Sequence, residues 1–358
     1  MDYQVLIPSP DAIPAPAWLF IVLEQLLFLL HIIVINAVVG GTLLILFSRL
    51  LGKDDQHLYE MQKPIAKKLP VLIALGINFA VPPLLFLQVV FGHLFYTSSV
   101  LMATYWILII PLLVLAYYGA YIHIAKYMKS PWFSKISLAL ASIILIYIGM
   151  MLVNNNSLME QPEKWTAYFG NRGGTILDFA SPAYWPRFLH FLAASIAVGG
   201  LFFSVVYHFL KKAEEREKKI RNGLKIFAFA TAFQILVGFW YLLVIPRDYM
   251  LQFMGKDLLA TIILMLGIVI GISAMVFAFL GNFKLTIIHT ILTIVLMIIT
   301  RFNLRMMYLS NDLQLSQLEL SPQYGVLALF LVVLLIGLVA IWYMLKVGFN
   351  KTNGRASQ

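Results

Sequence analysis

Nine runs of about twenty or more apolar residues, with scarcely a charge inside them, recur along this chain at about 17–48, 70–95, 105–128, 132–153, 186–210, 223–245, 257–280, 284–308 and 325–346. A bilayer core takes about 20 such residues per helix. The runs are continuous rather than alternating, so helices are the spanning form and a barrel is excluded. Of 358 residues 61% are hydrophobic and 12% charged, which leaves no room for a soluble domain of any size. The chain reads as an all-α polytopic membrane protein with nine transmembrane helices.

Charge sets the expected orientation. The net charge of +10 comes from basic residues gathered in alternate loops: Arg49, Lys53, Lys63, Lys67 and Lys68; then Lys126, Lys129 and Lys135; then Lys211 through Lys225; then Lys284. By the positive-inside rule these loops are cytoplasmic, the N-terminus is outside, and the tail with Lys346, Lys351 and Arg355 is inside. Nucleic acid is not implied, because glutamates punctuate the Lys211 to Lys225 run and it lies between two spans. The first sixteen residues have no basic residue ahead of an apolar core and do not read as a cleaved signal peptide. The longer outer loops, Asn154 to Pro186 and Ser310 to Tyr324, are read as cover for a partner or a quinone head group.

A repeat sits inside this frame. Helix one carries QLLFLLHIIVINAVVGG (25–41) and helix five carries PRFLHFLAASIAVGG (186–200), each with a histidine nine residues before a Gly-Gly pair. The offset from His31 to His190 is 159, as it is from Gly40 to Gly199. Nine residues are two and a half helical turns, which puts imidazole and glycine notch on opposite faces. One face can meet a cofactor while the notch admits a neighbouring helix. The repeat divides the chain into a first four-helix bundle (1–160), a second (161–310), and a ninth helix with its tail (311–358).

Intramembrane ionisable residues mark functional sites by default. Without cysteine the chain holds no disulfide, thiolate metal site, iron-sulfur cluster or covalently attached c-type heme. A redox cofactor must therefore be held by His, Met or other non-thiolate groups. By depth, His190 and Met265 are placed to reach opposite faces of one heme. His123 and His289, each about five residues from a cytoplasmic helix end, are candidates for a second bis-His site. His93 and His208 fall at opposite rims and His57 in a charged loop. Arg301 and Arg305, four apart on helix eight, share one face, and two guanidinium groups there suit heme propionates or a quinone oxygen, or snorkel to the head groups. Glu24 is the one acid well inside a span and is read as solvated near the outer interface. Gln88, Asn78 and Gln234 are polar groups able to bond a quinone or a neighbouring helix.

These residues resemble those of subunit I of the cytochrome bd quinol oxidases. Helix five is similar to the family segment whose histidine binds a low-spin b heme, which points to His190. Helix seven, ATIILMLGIVIG (260–271), is similar to the segment giving that heme its methionine, which points to Met265. Helix one resembles the segment whose histidine holds a high-spin heme, which points to His31. Gly76-Ile-Asn-Phe-Ala and Val90-Phe-Gly resemble the second helix. The resemblance implies nine helices in two four-helix bundles plus one. It also implies a similar membrane subunit as partner, quinone and the cytoplasmic membrane of a prokaryote.

The chain departs from the family pattern in three places. Neither carboxylate expected on helices two and three is present. Helix eight reads TRFNLRM (300–306), where the family has a glutamate ligand. The loop that helps bind quinol shrinks to about Pro246 to Lys256. The expectation is therefore a divergent bd-type subunit holding heme b. It carries electrons between quinol or an extracytoplasmic c-type cytochrome and a partner, without the usual oxygen-reducing site. Arg187, three residues before His190, is placed to meet a propionate. A working terminal oxidase and a heme-free structural or transport subunit are the alternatives.

Overall fold

The computed structural model describes residues 2–52, 56–210 and 215–354. Lys53, Lys211, Lys212 and Arg355, used above for orientation, lie outside the described residues, as does the side chain of His57. Among the described residues nine helices are long and apolar enough to cross a membrane. They are α1 (Ala17–Leu51), α2 (Leu69–Leu101), α3 (Ala103–Lys126), α4 (Pro131–Glu160), α5 (Tyr184–Phe209), α6 (Arg216–Val244), α7 (Leu258–Phe279), α8 (Phe283–Tyr308) and α9 (Tyr324–Gly354). The molecule is a multi-pass membrane protein of two four-helix units and one further helix.

Within the first unit α1 packs on α2 and α3 on α4; within the second α5 packs on α6 and α7 on α8. The units meet where α1 crosses α5. The two glycine notches face each other there. A methyl group added at Gly199 would lie 2.6 Å from the carbonyl carbon of Gly40, and one at Gly40 would run into the carbonyl of Ser195. Only glycine lets two backbones come this close. One turn away, Ser195 Oγ donates to Asn36 Oδ1 at 2.8 Å. Both contacts join residues that are 159 apart in sequence. Residues that equivalent positions bring together in this way lie on an axis relating the two helices, so the repeat is also a packing relation.

The second notch glycines look outward to equivalent neighbours, Gly41 to Leu69 of α2 and Gly200 to Gly223 and Phe227 of α6. The apolar spacing thus fixes which helices cross, and the notches fix how deeply.

Two helices run further than their apolar runs suggest. α4 continues past 153 to Glu160 because its polar residues are satisfied by the loop that follows: Asn154 Oδ1 accepts from the Asp178 amide at 2.7 Å, and Ser157 Oγ donates to Asp178 at 2.5 Å. α2 continues past 95 to Leu101, so His93 stands eight residues inside its helix rather than at a rim.

The segments at the N-terminal face close over this chain's own helix ends. Ile13 pairs with the segment before α9, its amide donating to the Glu319 carbonyl at 2.8 Å. Trp165 is buried, with Nε1 donating to the Leu158 carbonyl at 2.8 Å.

Candidate functional site

Between the α5–α6 pair and the α7–α8 pair lies a cavity of about 260 Å³, with α1 along its front. Its walls are chiefly apolar. The charged and imidazole groups on them come from definite turns, Arg187 and His190 on α5 and Arg301 on α8, with the amides of Asn36 and Gln234, the hydroxyl of Tyr241 and four threonines beside them. Convergent polar groups in a small apolar hollow are the usual form of a ligand or cofactor site. The short connection after α6 contributes Ile245 and Phe253 to the lining, and Phe253 is fully buried.

His190 is the one histidine on the cavity wall. Its Nε2 lies 3.3 Å from the amide nitrogen of Gln234, and its Nδ1 is buried without a hydrogen-bond partner. A buried ring nitrogen left unpaired is costly, and a site that keeps one is offering it to something. Gly238 of α6 stands against the ring, where an added methyl would come within 3.2 Å. The imidazole is held in place by a bare backbone and one amide.

Above His190, toward the N-terminal face, four helices converge on a buried ionic cluster. Arg187 Nη2 is 2.5 Å from Glu160 Oε2, and Arg305 Nη1 is 2.9 Å from Glu24 Oε1. Arg305 Nε also lies 3.6 Å from Glu160 Oε1, and Asn156 Nδ2 donates to the same oxygen at 2.9 Å. Glu160 is 1% exposed, Glu24 3% and Arg305 0%. Arg301 donates to Asn156 Oδ1 at 3.3 Å and lies over the ring of Phe28, 4.5 Å from its centroid. Among the described residues no carboxylate comes within ion-pair distance of Arg301. Three arginines against two glutamates leave one positive charge, and Arg187 and Arg301 turn it toward the cavity.

This placement corrects several expectations. Glu24 is not solvated at an interface: it is buried because Arg305, 281 residues later in the chain, neutralises it. Arg301 and Arg305 do not snorkel, yet only Arg301 lines the cavity, since Arg305 is spent on Glu24 and Glu160. Glu160 was missed because the apolar run ends seven residues earlier and the helix does not.

Met265 is not on the cavity wall and is 45% exposed on the outer side of α7. The stripe of α7 facing inward is Leu264, Gly267, Ile268 and Gly271, and at 100° per residue Met265 points about 110° away from the middle of it. His31 also stays off the wall, with Nδ1 3.0 Å from the Gly76 carbonyl of α2.

His123 and His289 are not brought together. His123 is buried at α4, where Ser134 Oγ lies 3.0 Å from its Nδ1, whereas His289 Nδ1 lies 2.8 Å from the Leu285 carbonyl of its own helix. His208 stacks on Phe283, 4.4 Å between ring centroids. Asn78 is exposed and bonds back to Ala74. Gln234 is the one suggested quinone-bonding group that reaches the cavity, and there it meets His190. No cluster of three or more His, Cys, Asp or Glu able to hold a bare metal ion occurs among the described residues.

No family model matches this chain, and no curated protein sequence matches it. Among solved structures it is similar to a chain of the bd oxidase from Geobacillus thermodenitrificans. The match has a TM-score of 0.67 and covers 92% of this chain and 97% of that one, at 15% sequence identity. The fold is bd-oxidase-like.

Proposed function

We propose that this protein is a heme-b-holding subunit of a respiratory complex in the cytoplasmic membrane of a prokaryote, with its N-terminal face outside. Its proposed work is to carry electrons between quinol or an extracytoplasmic c-type cytochrome and a partner subunit. One observation carries the reading: a buried imidazole with an unpaired ring nitrogen lies on an apolar cavity that presents two arginines at its N-terminal-face end, one helical turn from the imidazole.

The residues present fit an iron porphyrin. His190 would offer Nδ1 to the iron with the Gln234 amide turned so that its oxygen accepts from Nε2–H, which would hold the ring's orientation and tautomer. Arg187 and Arg301 suit the carboxylates of the porphyrin edge, because guanidinium groups bind carboxylates in plane. Glu160 holds Arg187 from behind, so the arginine is already oriented before any anion arrives.

The apolar walls exclude water and thereby strengthen every charge interaction within. Bound there, heme supplies one-electron transfer at a potential set by its ligands, nearby charge and burial. The surplus positive charge at the arginine end favours the electron-rich state and raises that potential. Oxygen reduction forms no part of the proposal, because α2 and α3 carry no acid.

The fold's likeness to a bd oxidase supports a membrane partner of related form. Pyridine hemochrome quantification on the purified chain tests the reading directly. Wild-type protein is expected to give heme b in a fixed ratio to chain and a reduced-minus-oxidised alpha band, while His190→Ala loses the low-spin signal and His93→Ala keeps it. A folded wild-type bundle with no heme would leave a structural or transport role in its place.

A further inference from the structure

We infer that the face opposite the N-terminal one carries a seat for an anionic glycerophospholipid, where α6 begins beside the turn from α7 to α8. The inference goes beyond the heme reading and does not depend on it.

The seat is built on one stripe of α6. Lys218, Arg221, Lys225 and Phe229 follow one another at spacings of three and four residues, so their side chains stand in a row along one side of the helix. The adjoining side, with Leu224, Phe227 and Ala228, is buried against α5 and against Ala274 and Ala278 of α7. The row therefore runs along the lipid-facing edge of the α6–α7 seam. Its first cation is answered, with Lys218 Nζ 3.0 Å from Glu215 Oε1. The next two are not. Among the described residues no carboxylate comes within ion-pair distance of Arg221 or Lys225, although Glu217 stands one turn before Arg221. Two like charges four residues apart on a helix repel, and an anion between them reverses the sign of that interaction.

Arg221 is exposed, yet it does not simply follow its own helix. Its guanidinium lies across the α7–α8 turn, where a methyl group added at Gly281 would be 3.6 Å from Nη2 and 3.7 Å from Nε. Gly281 has a φ of 76° and no side chain to keep the cation off the turn. A guanidinium held in this way offers paired donors to phosphate oxygens, and the Lys225 ammonium adds charge beside it.

What lies deeper in the span decides the class of anion. One turn beyond Lys225, Phe229 packs edge-on against Phe279 of α7 with ring centroids 5.3 Å apart, and both rings are exposed, as are Leu280 and Leu236. From Arg221 to Phe229 is eight residues, about 12 Å along the axis at 1.5 Å each. Within that distance the surface passes from two unanswered cations to an aromatic shelf. A phospholipid matches both parts, its phosphate on Arg221 and an acyl chain on the shelf, whereas a free phosphate leaves the shelf unused. Basic positions between helix ends at the cytoplasmic surface take anionic head groups, and a zwitterionic lipid gains less because it brings its own cation.

The full chain, stripped of lipid in a neutral detergent, is titrated with dioleoyl phosphatidylglycerol, dioleoyl phosphatidylcholine or inorganic phosphate. Native mass spectrometry counts the lipid retained, and circular dichroism follows unfolding. Wild type is expected to hold phosphatidylglycerol where phosphatidylcholine is lost, and inorganic phosphate to stabilise nothing. Arg221→Gln with Lys225→Gln should weaken phosphatidylglycerol binding roughly thirtyfold, and each single change should show part of that loss. Both side chains are exposed, so the double variant should unfold with wild type in phosphatidylcholine. Lys67→Gln with Lys68→Gln, an exposed basic pair at the start of α2, should bind phosphatidylglycerol as wild type does. Equal retention of the two lipids by wild type, equal loss in the two double variants, or equal stabilisation by inorganic phosphate overturns the assignment and leaves the heme reading untouched.

Discussion

Replacing Glu160 by glutamine removes one of two negative charges from a cluster that three arginines share. The amide keeps the size of the carboxylate, but it removes the charge and exchanges for an NH2 one of the two oxygens that accept from Arg187 and Asn156. Glu160 is 1% exposed and its closest ion pair, to Arg187, spans 2.5 Å, so solvent offers no screening. Removing one partner from a buried pair costs roughly 3–5 kcal/mol, because the other charge is left uncompensated. Arg305 retains Glu24 at 2.9 Å, and its 3.6 Å contact to Glu160 adds little beyond this.

The net charge of the cluster rises from one to two. The folded-to-unfolded ratio should fall by roughly two to four powers of ten, at about 1.4 kcal/mol per power. Equilibrium unfolding in mixed detergent micelles, followed by circular dichroism, measures this. The double variant Glu160→Gln with Arg187→Met should cost less than the sum of the two single changes, since the stranded cation is gone with its partner. A single Glu160→Gln variant within about 0.5 kcal/mol of wild type would refute the claim that the cluster is a closed charge system.

Two further outcomes follow from the packing and from the charge distribution. Gly199→Ala should destabilise the bundle by at least the roughly 1–3 kcal/mol of ordinary overpacking, because the new methyl meets backbone 2.6 Å away rather than a side chain that can turn aside; the same unfolding assay reads it. Because the chain has no cysteine, single cysteines at Thr166 and Lys218 report orientation. A membrane-impermeant thiol reagent on intact cells should label the first and not the second, and the reverse would invert the topology.

How much of the site was legible depended on whether a residue's role is local or collective. His190 was found because a lone imidazole in an apolar run is conspicuous and its spacing to the glycine pair is repeated at His31. Arg301 was found because arginine in a span demands an anion, and Arg187 because it lies one turn before His190. Glu160 was hidden at a helix end that hydropathy draws too early, and its place depends on Asn154 and Ser157 being satisfied by the loop beyond. Met265 was suggested by a short likeness within α7, but such a likeness does not say which face of that helix turns inward.

The amino-acid sequence by itself determined the number of crossings, their helical form, the glycine notches and the cysteine-free chemistry open to a cofactor, because each follows from properties that neighbouring residues share along the chain. Tertiary structure decided which histidine meets an open cavity, which arginine is left without a carboxylate among the described residues, and that Met265 turns outward. Those outcomes depend on the rotation of each helix about its axis and on partners up to 281 residues away, and no pattern within a single apolar run specifies either.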